Sequence, residues 1–173
     1  RVGALLLDVL PLTGQASDVV ADLFLRRTFG GGTIYVSGGA ALDPAIARGL
    51  DRVGLNVYQG YGITETSPVI SAEHPGKKCL GTVGLPLRCM SIRIDTPNQE
   101  GVGELVVKGP NVMLGYLRVE RPGVLERTLS ARGEGWYCTG DIVTIGEDGF
   151  ITIKGRLKRF AKIAGEMISL EVV

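Results

Sequence analysis

The apolar positions of this chain follow two regimes: short β-branched runs separated by a helical spacing up to about residue 70, and alternating runs from about residue 80 onward. The first regime is clearest at Thr33-Ile34-Tyr35-Val36, a β-branched and aromatic run bounded by glycines, which predicts a buried strand. Asp43-Pro44 then supplies an N-cap residue and a proline at the first helical position. Ile46, Leu50 and Val53 recur at spacings of four and three and form one apolar helix face. Gly54 suits the position just past the helix end, and Leu55–Tyr58 reads as a second strand. A further helix end is expected over Asp22–Arg27, closed by Gly30-Gly31-Gly32.

Strand, helix and strand in this order predict a parallel pair joined by a crossover. Ser37-Gly38-Gly39-Ala40 and Gln59-Gly60-Tyr61-Gly62 would then follow the carboxyl ends of neighbouring strands, the edge at which open α/β sheets bind ligands. In the second regime Ser91–Asp95 alternates, and Glu104–Lys108 does so in part. Asp141–Ile145 and Phe150–Ile153 read as a hairpin with the four-residue connection Gly146–Gly149. The expected fold class is α/β, with a small β-rich unit appended to part of an α/β layer.

Composition narrows the function classes. At 173 residues, 45% of them apolar, the chain has material for a core and the size of about one domain. A formal net charge of +1 gives no field to draw nucleic acid or an anionic membrane. The 26 glycines are about twice ordinary usage and follow no fixed period, so they mark backbone that needs positive φ or close approach. Cys79, Cys89 and Cys138 are odd in number and lack CxxC spacing, which favours neither a disulfide framework nor a zinc site and fits a reducing cytosol. His74, the only histidine, reads as a surface-loop residue. Ala4–Leu7 is broken by Asp8, far short of a membrane span or a signal peptide. Lys154, Arg156, Lys158, Arg159 and Lys162 read as a solvated basic face, because no aromatic stacking platform accompanies them.

The stretch QGYGITETSP, residues 59–68, sets an aromatic between two glycines ahead of three hydroxyls and one carboxylate. Two readings of it stand side by side. It could line a ligand pocket, or Tyr61 could pack in the core while Thr64 caps a helix and Glu65 favours its N-terminal dipole.

Gly135-Trp136-Tyr137-Cys138-Thr139-Gly140-Asp141 adds a second constellation. With Tyr35–Leu42, Gln59–Thr66, Gly81–Pro86, Gly103–Leu117 and Gly155–Lys158 it makes six ordered segments over residues 34–171 that resemble the adenylate-forming superfamily of acyl-CoA synthetases, luciferases and peptide-synthetase adenylation domains. The resemblance implies that ATP and a carboxylic acid give an acyl-adenylate and pyrophosphate, after which a thiol takes the acyl group. It implies that Gly38, Gly39 and Ala40 lie along the adenine and that Tyr61 stacks on the opposite face of the ring. Thr64 would hydrogen-bond the α-phosphate, and Glu65 would hold Mg²⁺, a hard cation suited to a carboxylate. Asp141 would accept hydrogen bonds from the ribose hydroxyls, with Arg156 approaching the ribose from the far side. Gly60 and Gly62 would edge the acyl pocket, and Lys158 falls at the hinge between domains.

On that resemblance the chain is expected to hold part of an N-terminal domain and the start of the small C-terminal one, with a partial α/β subdomain over 1–75, a β-rich subdomain over 76–154, and the hinge and start of the C-terminal domain over 155–173. The family's phosphate-binding loop has no match in residues 1–33, and its catalytic lysine belongs beyond residue 173; Lys162 matches a different family position. By itself the chain is expected to make no adenylate, to leave a sheet edge open, and to self-associate or to be poorly ordered over residues 1–30. Segments 115–126 and 158–171 most resemble the acyl-acyl-carrier-protein synthetase half of bacterial bifunctional 2-acylglycerophosphoethanolamine acyltransferases, which reacylate lysophospholipids at the cytoplasmic face of the inner membrane. That implies a fatty acid and an acyl carrier protein as partners, with membrane contact only through the parent protein. A long-chain fatty acyl-CoA synthetase using coenzyme A is the alternative, and a non-catalytic nucleotide- or partner-binding relative is a reading of another class.

Overall fold

The computed structural model describes residues 34–52, 54–127 and 133–157, the backbone of 160–163 and 166–169, and the isolated positions 23, 27, 28 and 30. The helix end expected over Asp22–Arg27, Val53, the hinge residue Lys158 and the order of residues 1–30 lie outside the described residues, or almost wholly so.

The first unit is strand–helix–strand. Strand β1 (Tyr35–Ser37) pairs in parallel with β2 (Val57–Gly62), from Tyr35 opposite Val57 to Ser37 opposite Gln59, and helix α1 (Pro44–Arg52) connects them. Asp43 caps α1: its Oδ1 accepts from the Ala45 amide at 2.6 Å, and its carbonyl accepts from the Ala47 amide at 2.9 Å. Gly54, at φ +78°, ends the helix with its amide on the Asp51 carbonyl, a backbone conformation that glycine adopts without strain. The packed face of α1 differs from the expected one. Ala47 and Gly49 are its buried residues, whereas of the expected face Ile46 is 46% exposed and Leu50 is half-buried.

The second strand is also longer than expected and displaced. It begins at Val57 and continues through Gln59-Gly60-Tyr61-Gly62, so this stretch is strand rather than a loop beyond one. The cause is β3 (Val69–Ala72), which returns antiparallel and pairs Gly60 with Ala72 and Tyr61 with Ser71. Strand β4 (Leu85–Pro86) completes a four-stranded sheet of order β1-β2-β3-β4, so that sheet draws on residues past 75.

The second unit is an antiparallel sheet of order β10-β9-β6-β5, built from β5 (Ser91–Asp95), β6 (Gly103–Lys108), β9 (Tyr137–Ile145) and β10 (Ile151–Arg156). The alternation at 91–95 and the hairpin after Asp141 are both present, the hairpin connection running from Gly146 to Phe150. Between β6 and β9, the chain forms a two-stranded ribbon of β7 (Gly115–Leu117) and β8 (Leu125–Arg127). A last pair, β11 (Phe160–Ile163) and β12 (Glu166–Ser169), follows.

One core joins the two main sheets. Ile70 of the first sheet and Leu105, Val107, Val143 and Ile151 of the second are all fully buried in it, together with Tyr61, Val83 and Met90. The Val83 amide donates to the Ile151 carbonyl at 2.8 Å and the Ile151 amide to the Gly84 carbonyl at 3.0 Å, which ties the segment before β4 to β10. Gly84 is required there, since a Cβ would collide with the Ala72 backbone and its φ is +85°. Among the described residues no helix is long and apolar enough to cross a membrane.

Candidate functional site

Two bulges aim the polar centre of the site. From Glu104 opposite Ile142 to Val106 opposite Cys138, β6 advances two residues while β9 advances four. Thr139-Gly140-Asp141 therefore stands opposite Leu105 alone, two residues more than a regular ladder holds, with Gly140 at φ +73°. It is pinned by Thr139 Oγ1 donating to the Leu105 carbonyl, the Gly140 amide donating to Glu104 Oε1, and the Asp141 amide donating to Thr139 Oγ1. A second irregularity, between Ile153 and Gly155 on β10, sets Arg156 directly opposite Asp141.

Asp141 is consequently a buried carboxylate, only 3% exposed, with a donor on each oxygen. The Tyr61 hydroxyl donates to Oδ2 at 2.6 Å, a short charge-assisted bond across the two sheets. Arg156 Nε donates to Oδ1 at 3.1 Å while its guanidinium reaches solvent. Burial, and then the adjoining Asp141 through its hydrogen bond and its charge, push the Tyr61 phenol upward, so it stays protonated as a donor.

These three residues line a cavity of about 550 Å³ together with Gly39, Ala40, Gly60 and Gly62. The glycines serve different ends. A Cβ on Gly38 would come within 3.4 Å of the Gly60 carbonyl, so its absence lets the loop after β1 lie against β2. Gly39 faces open space and is needed for its φ of +82°. Gly62 could carry no side chain, because a Cβ would strike the Pro68 carbonyl where the chain folds back toward β3.

Thr64 and Glu65 do not line that cavity; they form a 3₁₀ turn, Thr64–Thr66, that leaves β2 two residues after Gly62. Thr64 is exposed, and Glu65 is half-buried. Neither reading of Tyr61 excludes the other: its body belongs to the core and its edge to the cavity. The Thr64 cap does not form, since the capping position is Ile63 and the turn is closed by Thr66 Oγ1 donating to the Ile63 carbonyl.

The family profile of the AMP-binding enzyme matches residues 8–117. The chain belongs to the AMP-binding enzyme family. It is 39% identical over 142 residues to the long-chain-fatty-acid–CoA ligase FadD15 of Mycobacterium bovis, covering 82% of this chain and 22% of that protein. It is 38% identical over 157 residues to a feruloyl-CoA synthase of an Amycolatopsis species, covering 86% of this chain and 29% of the relative. Among solved structures, the O-succinylbenzoate coenzyme A synthetase of Bacillus subtilis in complex with ATP and a magnesium ion superposes with a TM-score of 0.66 at 25% identity, over 96% of this chain and 32% of that one. The chain thus spans between a fifth and a third of the length of these relatives. Its fold is part of the N-terminal domain of an adenylate-forming AMP-binding enzyme, an α/β layer with a β-rich unit.

Several residues without a distinct motif in the sequence support the site. Gln59 Oε1 accepts from the Leu42 amide at 2.9 Å and its Nε2 donates to the Thr82 carbonyl at 2.8 Å, which fixes the loop after β1 to the segment before β4. Glu73, 6% exposed, accepts from the Gln59 and Cys79 amides. Asn111 and Tyr116 meet the Thr64–Thr66 turn and its carboxylate from positions far away in sequence, and the Tyr137 hydroxyl meets that of Tyr116. Burial, the Tyr116 hydrogen bond and the charge of Glu65 push the Tyr137 phenol upward. All but Glu73 stood inside the family-like segments; nothing local distinguishes them from packing residues.

Proposed function

We propose that the chain supplies the nucleotide-binding wall of an enzyme that joins ATP and a carboxylic acid into an acyl-adenylate, releases pyrophosphate, and passes the acyl group to a thiol. The observation that carries this reading is the buried Asp141 carboxylate, held by Tyr61 and Arg156 at the wall of a cavity edged by glycine backbone. Each Asp141 oxygen accepts one bond from the protein and keeps a lone pair for a ribose hydroxyl. Arg156, largely exposed, approaches the same sugar from solvent. Gly38, Gly39 and Ala40 offer backbone to one face of the adenine, and Tyr61, its ring fixed through the hydroxyl, offers the other. Gly60 and Gly62 edge the acyl pocket, Thr64 meets the α-phosphate, and Lys158 is the hinge.

Glu65 is the residue that would hold Mg²⁺. Among the described residues no group of three or more His, Cys, Asp or Glu forms a metal cage. A single half-buried carboxylate fits a cation that takes most of its ligands from phosphates and water. When bound, the ion neutralises charge on the reacting phosphates.

The relatives named above act on different acids and share coenzyme A in their names, which supports coenzyme A as the acceptor and a fatty acid as one candidate substrate. Segments 115–126 and 158–171 favour a second reading, an acyl carrier protein as acceptor within lysophospholipid reacylation at the inner membrane. The full-length protein with ATP, Mg²⁺ and labelled palmitate, offered coenzyme A and holo-acyl-carrier protein in parallel, separates them. Label on coenzyme A supports the ligase reading and label on the carrier protein the second. Absence of both thioesters and of acyl-adenylate would turn the proposal toward another acid or a non-catalytic relative.

A further inference from the structure

Segment Asn111–Tyr116, which leads from β6 into the β7–β8 ribbon, grips the Thr64–Thr66 turn at three points and the start of β3 at one more. Asn111 Nδ2 donates to the Thr66 carbonyl at 2.7 Å and to the Val69 carbonyl at 2.8 Å. The Met113 amide donates to the Glu65 carbonyl at 2.8 Å. The Tyr116 hydroxyl donates to Glu65 Oε1 at 2.9 Å, with the Tyr137 hydroxyl 3.3 Å beyond it. The first three contacts fix the backbone, and the fourth fixes the carboxylate itself.

Tyr116 is held in turn. The Arg118 guanidinium lies 5.1 Å from the centre of its ring, and Arg118 Nε donates to Glu126 Oε2 at 3.1 Å on the paired strand. Arg121 pairs with the other oxygen of Glu126 at 3.0 Å. Gly115 gives the ribbon its close pairing, since a Cβ there would meet the Glu126 carbonyl. The ribbon therefore presents one hydroxyl, on a braced ring, to one carboxylate.

From this geometry we infer that Tyr116 is a positioning residue for Glu65, orienting the carboxylate for a divalent cation. A single protein ligand leaves the orientation of the carboxylate to its hydrogen-bond partners, and partners of that kind commonly change metal affinity by roughly 10-fold or more. The inference rests on the proposed role of Glu65 and adds to it a residue that touches neither nucleotide nor metal.

The test uses the full-length protein and manganese(II) as a paramagnetic stand-in for magnesium, with ATP present, read by electron paramagnetic resonance as the cation binds. Glu65→Ala is measured first: weakened but measurable ATP-dependent manganese binding supports the role of Glu65, and unchanged binding removes that role and this inference with it. Tyr116→Phe keeps the ring under Arg118 and deletes one oxygen atom. The expected result is binding weakened by roughly 10-fold, with the half-saturating Mg²⁺ concentration for adenylation rising in parallel. Introduced on top of Glu65→Ala, the same substitution should add no further shift, because it acts through the carboxylate. Wild-type affinity in Tyr116→Phe, or an equal loss with and without Glu65, would overturn the inference while leaving the Glu65 assignment standing.

Discussion

At the residue scale the site turns on one buried charge. Deleting the Tyr61 hydroxyl leaves the buried Asp141 Oδ2 without its protein donor, whereas Arg156 stays on the other oxygen. Tyr61→Phe is therefore expected to destabilise the fold by about 1–3 kcal/mol, measured by urea denaturation. The pH dependence has a definite sign. The folded state keeps the Tyr61 proton at pH values where the unfolded chain loses it, so this contribution is complete below the ordinary tyrosine value of about 10 and is lost as pH rises beyond it. Wild-type stability should fall more steeply above pH 10 than that of Tyr61→Phe; parallel curves would show that the phenol is not held neutral by the fold.

At the element scale, what could be read from the sequence and what could not have physical causes. The strand at Tyr35–Ser37 (though not its expected burial, Val36 being 75% exposed), the cap at Asp43 and the hairpin after Asp141 were legible because β-branching, an N-cap and alternation act locally. The helix face was legible only in part, because spacing identifies which residues share a face, not how deeply each is covered: Leu50 is half-buried and Ile46 is exposed. The buried positions of the helix are the small residues Ala47 and Gly49, which carry no apolar-spacing signal. Gln59–Gly62 looked like a loop because its glycines suggest turns, yet in this strand Gly62 is needed for the return of the chain at Pro68. The Tyr116–Glu65 bond spans 51 residues, and no local pattern reports such a contact. Gly62→Ala offers a check on the strand: the Cβ must push β2 apart from the Pro68–Val69 backbone where the chain returns into β3. A loss of about 1–3 kcal/mol is expected by urea denaturation, and a neutral effect would mean that this backbone is free to move.

At the scale of the whole molecule, the candidate site exists only because two sheets share a core. Tyr61 comes from the first and Asp141 and Arg156 from the second, 80 and 15 residues away from Asp141 in sequence. Among the described residues β1 has one strand neighbour, β2, and Ile34 and Val36 are 52% and 75% exposed beside it. An open apolar edge of this kind recruits other strands. The 173-residue chain in solution is expected to gain mass with concentration in light scattering, and Val36→Lys should suppress the gain; a concentration-independent monomer would contradict the expectation.

The most direct measurement is palmitate-dependent exchange of labelled pyrophosphate into ATP by the full-length protein, with and without Asp141→Ala. Exchange by the wild type, reduced at least about 100-fold in the variant at matched folding, is the expected result for a carboxylate that aligns the nucleotide. Undiminished exchange by Asp141→Ala would contradict the assignment of this cavity as the nucleotide site.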